Sequence, residues 1–217
     1  LGDSEGEFER GPGRGLVEDA MAAATMLVGR QEIDARRIIF LGLGDGGLVG
    51  AQVMAGESSY AGAILGSSAT ATRIFPDLAQ GRLHSVLAMH YGWTDLETAF
   101  HANQSTNRWE AWLVEGRDEI EFARRRVRID AMQDWANIDL PTALAAARGP
   151  ILLLHGEEDR WTPVAGAQAL AEQLKSQGKT QITLQVFPGL GDSLSTRDAP
   201  GVLAPPVQEA ILAWLKA

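Results

Sequence analysis

The residues of this chain whose types and spacing could perform chemistry begin with a glycine-rich run, GLGDGG, at positions 42–47. The run follows a short apolar segment, Ile38 to Leu43, and precedes a segment typical of a helix. A sharp strand-to-helix turn that presents a nucleophile needs small residues two positions before and two positions after it, because the backbone is strongly bent there. Gly42 and Gly46 satisfy this requirement around Gly44, and Gly47 follows. Gly44 is therefore predicted to stand at a nucleophile position, although it has no side chain that could attack a substrate.

The same glycines allow a second interpretation as a dinucleotide-binding turn. Gly42, Gly44 and Gly47 match the pattern G-x-G-x-x-G, in which glycines let a pyrophosphate approach the N-terminus of a helix. That fingerprint also expects an acidic residue at the end of the next strand, where it binds a ribose hydroxyl. The next predicted strand ends in Gly66-Ser67-Ser68 and supplies no acid. A glycine turn without any ligand is a further alternative.

Asp45 offers another way to obtain a nucleophile, in a frame shifted by one residue. That frame puts Leu43 in the crowded position two residues earlier, and no histidine that could activate water follows Gly189.

Asp45, Asp159 and Asp192 could alternatively form a site of carboxylates for a metal ion. We predict neither a metal nor a cofactor. The histidines at 84, 90 and 101 are interpreted as surface or packing residues.

Two later segments resemble parts of a known superfamily. PILLLHGEEDRWTP, residues 150–163, resembles the strand and loop that deliver the catalytic acid in α/β hydrolases, with Asp159 at the acid position and His155 as a structural histidine. FPGLGDSLS, residues 187–195, resembles the loop that carries the catalytic histidine, and Asp192 stands in its place. The chain is identified as a member of this superfamily, similar to its esterase, dienelactone-hydrolase and oligopeptidase-like branches. The resemblance implies hydrolysis of an ester or amide through a serine acyl-enzyme.

The elements that must position these residues alternate between short apolar strands and helices. This alternation predicts the α/β class, with a parallel sheet and helices on both faces. Residues 1–71 and 149–217 are predicted to form the hydrolase core, and residues 72–148 a helical lid inserted between the second and third strands. The lid would include a charged helical stretch from Glu119 to Arg128. It would also include Trp93, Trp109, Trp112 and Trp135, of which at least one is expected to line a pocket above Gly44. The predicted strands span 38–43, 61–65, 151–155 and 182–187, and the predicted helices span 16–30, 48–54, 164–177 and 206–216.

The resemblance also implies a sheet of eight strands, in which the strand before the nucleophile is the fifth. The four predicted strands correspond to the fifth through the eighth, so the first strands of the family fold are apparently absent from the sequence. We therefore expect either a fragment or a partner chain that supplies the missing strands and the oxyanion hole.

Three functional hypotheses follow from these residues. The first is a catalytically impaired hydrolase homologue, in which Gly44 and Asp192 replace the nucleophile and the base, and which retains a pocket for a small apolar ligand or ester. The second is a non-catalytic subunit that binds a ligand or a partner. The third is the dinucleotide-binding domain.

Composition excludes several other classes. The 217 residues include 19 Lys and Arg against 28 Asp and Glu, a net charge of −9, which disfavours binding to nucleic acid. The sequence contains no cysteine, which excludes disulfide scaffolds, thiolate zinc sites and cysteine nucleophiles. No apolar run is long enough to span a membrane, and no signal peptide is visible. We therefore expect no membrane association and favour the cytoplasm.

Overall fold

A computed structural model of the chain describes residues 12–56, 59–68, 115–116, 119–122, 125–128, 139–159 and 164–216. The chain divides into two compact units, one comprising Asp19–Ala71 and Leu140–Ala217, the other Leu1–Glu18 and Thr72–Asp139. The strands are β1 (Ile39–Leu43), β2 (Gly62–Gly66), β3 (Glu119–Phe122), β4 (Arg125–Arg128), β5 (Ile151–Gly156) and β6 (Ile182–Phe187). The helices are α1 (Pro12–Val28), α2 (Asp45–Ala55), α3 (Leu140–Ala146), α4 (Val164–Ser176) and α5 (Pro205–Trp214).

The unit comprising Asp19–Ala71 and Leu140–Ala217 contains a parallel sheet with the strand order β1-β2-β5-β6. Register pairs such as Leu41 with Ile64 and Ile64 with Leu152 place apolar residues side by side across the sheet. Every residue of β2 and of β5 is buried, as expected for strands covered on both faces. The four strands and the α/β class predicted from the sequence are confirmed.

Helices cover both faces of this sheet. On one face, Leu65 and Leu153 pack in a core with α2, α3 and α4, and Leu144 and Leu170 are fully buried there. On the other face, Ile64 and Leu154 pack against α5 through Val207. Because parallel strands all end at the same edge of a sheet, the loops after the strands of this sheet share one edge.

The predicted helix from Glu119 to Arg128 is wrong, because this stretch forms the antiparallel pair β3–β4 in the other unit. The register places Glu119 opposite Arg128 and Glu121 opposite Arg126. The charge pattern is compatible with both structures, because opposite charges can be placed across neighbouring strands as well as on adjacent turns of a helix. The alternation Glu-Ile-Glu-Phe has the period of a strand, and this was the signal that favoured the observed structure.

Two further features concern the predicted insertion 72–148. Its segment Leu140–Ala146 is the helix α3, which packs against α2 and belongs to the same unit as the parallel sheet. The four tryptophans and the three histidines of the insertion lie outside the described residues, so the lid stays a prediction. Among the residues that the structure describes, no helix is long and apolar enough to cross a membrane.

Candidate functional site

The turn between β1 and α2 consists of the single residue Gly44. Its φ of +56° and ψ of −123° lie in a region that residues other than glycine rarely adopt. Its N–H donates to the Gly66 carbonyl at 2.8 Å, and its own carbonyl accepts from the Gly47 N–H at 2.9 Å. Among the described residues, no heavy atom other than those of Gly44 and its two chain neighbours lies within 4 Å of the position that a Cβ would occupy at Gly44. A side chain at this residue would therefore project into open space at the edge of the sheet.

The flanking glycines allow this turn to be tight. A Cβ at Gly42 would collide with the backbone of Gly46, and a Cβ at Gly47 would collide with the side chain of Ser68. Asp45 is the first residue of α2 and is exposed. The structure thus brings the whole predicted run to one turn at the end of β1.

Asp159 lies directly after β5 and is completely buried. Its N–H donates to the Gly156 carbonyl at 3.2 Å, which closes a turn at the end of the strand. The Oδ2 atom of Asp159 is 3.6 Å from Nε2 of His155, which is also fully buried within β5. The pair is ionic only when His155 is protonated.

Asp192 lies on the loop after β6 and is exposed. Backbone hydrogen bonds join this loop to the loop of Asp159: Glu157 N–H donates to the Phe187 carbonyl at 3.0 Å, and Glu158 N–H to the Leu190 carbonyl at 2.8 Å. Gly156 lies so close to this loop that a Cβ there would collide with the backbone of Leu190 and Gly191. The acid position and the histidine position are therefore held on two loops that pack directly against each other.

The loop of Asp192 also extends back across the sheet towards β1. Leu194 is fully buried, with a φ of +53°, and its side chain lies over Gly66. Leu43 approaches the same face of Gly66, because a Cβ at Gly66 would collide with both leucine side chains. Because Gly66 is also the hydrogen-bond acceptor of Gly44, the loop comes close to the strand end that carries the turn.

A polar cavity of about 440 Å³ opens beside Asp192. The residues that line it include Glu158, Asp192, Ser193, Ser195 and Arg197. The two serine Oγ atoms share a hydrogen bond of 2.7 Å. Sequence analysis did not identify this cavity, although the hydroxyl-rich run Ser193 to Thr196 was a signal for it. Ser67 and Ser68, which end β2, are also buried beside the turn and were not assigned a role.

A comparison of the chain with sequence profiles of protein families gives one match that covers most of its length. The profile described as serine aminopeptidase, S33, matches residues 2–191. The chain belongs to this family of α/β hydrolases. The superfamily resemblance inferred from the two later segments is thus confirmed.

A curated relative of this chain aligns over a short segment only. A monoacylglycerol lipase from Mycolicibacterium smegmatis is 39% identical over 51 residues, which is 24% of this chain and 17% of the lipase. The chain therefore aligns with only a small part of this curated relative.

Solved structures share the fold of this chain. Est1E from Butyrivibrio proteoclasticus, with ferulic acid bound, aligns at a TM-score of 0.67 and 18% identity, over 98% of this chain and 71% of that one. An acylaminoacyl peptidase from Pyrococcus horikoshii aligns at 0.54 and 13% identity, over 92% of this chain and 26% of that one. At these identities the likeness concerns the fold alone.

The three aspartates of the predicted site do not form a metal site in the described part of the chain. Asp45, Asp159 and Asp192 all lie in described segments, and no group of three or more acidic, histidine or cysteine residues is placed there to hold a metal ion. The alternative of a metal centre built from these carboxylates therefore has no support in their geometry.

Proposed function

We propose that this chain is an α/β-hydrolase homologue that keeps the backbone of the reaction centre but does not form an acyl-enzyme. The observation that carries the proposal is the turn at Gly44. Its backbone makes a sharp strand-to-helix turn with a φ of +56°, which supports the prediction of a nucleophile elbow at this residue. The place of the attacking side chain is open space.

Acyl transfer requires a hydroxyl at the turn and a base within hydrogen-bond reach of it. Gly44 provides no hydroxyl, and the position of the base is occupied by Asp192. All four histidines of the sequence precede the loop of Asp192. The single one in the described segments, His155, is buried beside Asp159. Asp45 is disfavoured as a nucleophile for the same reason, because no histidine that could activate water follows Gly189.

The relatives support an ester or amide as the ligand class. They include a monoacylglycerol lipase, an acylaminoacyl peptidase and Est1E, whose structure contains ferulic acid. We infer that the site of this chain binds the acyl portion of such a compound without cleaving it. Ligand-observed NMR with methyl ferulate tests this inference: the ester signals should show saturation transfer from the protein, while their intensity stays constant over hours.

The chemistry is tested with p-nitrophenyl acetate and with a fluorophosphonate probe. The unchanged chain should show no burst of p-nitrophenol and no covalent label. Gly44→Ser alone should gain little, because a serine without a base stays protonated. Gly44→Ser combined with Asp192→His should exceed the sum of the two single variants, since triad members act as a unit and a base contributes about 10²–10⁴-fold.

Asp198→His combined with Gly44→Ser is the matched control. Asp198 is exposed on the same long loop, so this variant adds a histidine away from the predicted position. A burst from the unchanged chain that survives Asp45→Ala and Asp159→Ala would contradict the proposed function. Loss of such a burst on Asp45→Ala alone would instead identify Asp45 as the nucleophile.

A second candidate function is a non-catalytic subunit that pairs with another chain. The observation in its favour is the edge strand β1, where Leu41 and Leu43 are 50% and 39% exposed. The dinucleotide alternative has less support, because β2 ends without an acid and membership of the hydrolase family already accounts for the glycine run. Quenching of tryptophan fluorescence by NADH would support the dinucleotide-binding alternative.

A further inference from the structure

The polar cavity of about 440 Å³ has walls that backbone contacts hold in place. Its lining residues are Glu158, on the loop after β5, and several residues of the segment 189–200, on the loop after β6. An antiparallel bridge between Ser195 and Leu203 closes the second loop, and the Glu158 N–H joins the first loop to it by donating to the Leu190 carbonyl at 2.8 Å. Because both walls are fixed, a ligand that enters the cavity does not have to order them, and its binding costs less conformational entropy.

Three charged residues line this cavity, two of them acidic and one basic. Glu158, Asp192 and Arg197 are all exposed. Within the segments that the structure describes, none of the three forms an ion pair or a side-chain hydrogen bond. A carboxylate only accepts hydrogen bonds, whereas a guanidinium only donates them, through a planar fork that matches a carboxylate. The lining therefore offers acceptors for a cationic group and donors for an anionic one, with one carboxylate in excess.

A pair of hydroxyl groups adds to this polar lining. Ser193 and Ser195 both line the cavity, and their Oγ atoms lie 2.7 Å apart, with either able to donate to the other. The hydroxyl that accepts keeps its own hydrogen, and the one that donates keeps its lone pairs. The pair can therefore donate a hydrogen bond to a carboxylate and accept hydrogen bonds from an ammonium group.

The composition of the lining disfavours other classes of ligand. Its remaining residues are two glycines, Thr196 and Pro200, so an apolar acyl chain would find almost no aliphatic or aromatic surface there. An anion without a cationic group would face two carboxylates against one guanidinium. Among the described residues, no group of three or more acidic, histidine or cysteine residues is placed to hold a metal ion. A ligand that carries both charges satisfies all three charged residues.

We propose that this cavity binds a small zwitterion, whose ammonium group contacts Glu158 and Asp192 and whose carboxylate contacts Arg197. A free α-amino acid has this chemistry. The volume of about 440 Å³ lies in the range of about 300–1,000 Å³ that is typical of small-molecule sites. Neither Gly44 nor its neighbours in the turn line the cavity. Binding of a zwitterion is therefore separate from binding of an acyl group at Gly44, and it does not depend on the proposed function.

Titrations of the full chain, followed by ¹H–¹⁵N correlation NMR, test the proposal with three matched probes. L-Alanine carries both charges, L-alaninamide only the ammonium group, and N-acetyl-L-alanine only the carboxylate. L-Alanine should shift the backbone amide signals of Glu158, Ser193 and Arg197 saturably, with a dissociation constant of about 1 mM or lower. Each probe with a single charge should bind at least about tenfold more weakly, because it leaves one side of the cavity unsatisfied.

Two variants assign the two charges of the ligand. Arg197→Gln should lower the affinity for L-alanine to that of L-alaninamide for the unchanged chain. Glu158→Gln should weaken the binding of L-alanine and L-alaninamide, and it should not weaken the binding of N-acetyl-L-alanine. Arg148→Gln and Glu209→Gln are the matched controls at exposed residues that do not line the cavity, and they should leave all three dissociation constants unchanged.

All four substituted residues are exposed, so the variants should fold, and unchanged amide signals in the parallel sheet would verify this. The absence of any saturable shift with L-alanine up to about 50 mM would overturn the proposal. Equal affinities for the three probes would also overturn it, because binding would then not depend on the two charges. So would an Arg197→Gln variant that binds L-alanine as tightly as the unchanged chain.

Discussion

Tyr60 is a residue at which pH should alter the stability of the fold. Its hydroxyl donates to the Ala20 carbonyl at 2.9 Å, and partial burial raises the pKa of the phenol above its ordinary value of 10.0. A raised pKa in the folded state means that the stability contributed by Tyr60 is complete below pH 10 and is lost as pH rises through the folded pKa. In urea unfolding, the free energy of unfolding should therefore fall more between pH 8 and pH 11 for the wild type than for Tyr60→Phe. Equal losses in the two proteins would contradict this assignment.

The two aspartates of the predicted site should respond differently to the same substitution. Asp159 is completely buried next to His155, whereas Asp192 is exposed. Asp159→Asn keeps the shape but changes a buried hydrogen-bonding group, and we expect a loss of about 1–3 kcal/mol in the free energy of unfolding. Asp192→Asn should change it by less than about 0.5 kcal/mol. Chemical denaturation measures the change in the free energy of unfolding for both variants. Equal changes would mean that the burial of Asp159 does not determine its contribution to stability.

At the scale of the elements, alanine substitutions at the neighbouring glycines Gly46 and Gly47 of α2 should have opposite effects on stability. No atom outside the helix lies within 4 Å of a Cβ at Gly46, so Gly46→Ala should stabilise the fold by about 0.5–1 kcal/mol through its helix propensity. Gly47→Ala would collide with Ser68 and should destabilise the fold by about 1–3 kcal/mol. Thermal unfolding should show shifts of opposite sign. Ser68→Gly should partly rescue Gly47→Ala, and a failure of this rescue would place the collision elsewhere.

The elements also show how far the sequence could be interpreted. Continuous apolar runs such as Ile151–Leu154 predicted buried parallel strands correctly, because a strand covered on both faces needs apolar residues at every position. The charged stretch Glu119–Arg128 could not be decided by charge pairing, since Glu and Arg pair equally well across strands and along a helix. At the site, the glycine spacing placed Gly44 at the turn. The polar cavity beside Asp192 depends on how the loop after β6 folds back, and no local pattern encodes that path.

At the scale of the whole molecule, stability should be distributed unevenly over the sheet. All residues of β5 are buried, whereas most residues of β6 are only partly buried. Strands in the core open only with global unfolding, and those at the margin open locally. Native-state hydrogen exchange should therefore give β5 amides protection equal to the global free energy of unfolding, and smaller values in β6. Equal protection in both strands would indicate that the sheet opens as a single unit.

The contact of Gly156 with the loop after β6 has a consequence for motion. Since Asp159 and Asp192 lie on loops tied together by the backbone hydrogen bonds of Glu157 and Glu158, thermal displacements of the two carboxylates should be correlated. Gly44 belongs to a different strand end, held to β2 through Gly66. The predicted site therefore has two parts that can move separately: the turn at Gly44, and the two linked loops that carry Asp159 and Asp192. Fluctuations of the sheet edge should change the distance from Gly44 to the two carboxylates more than the distance between the carboxylates.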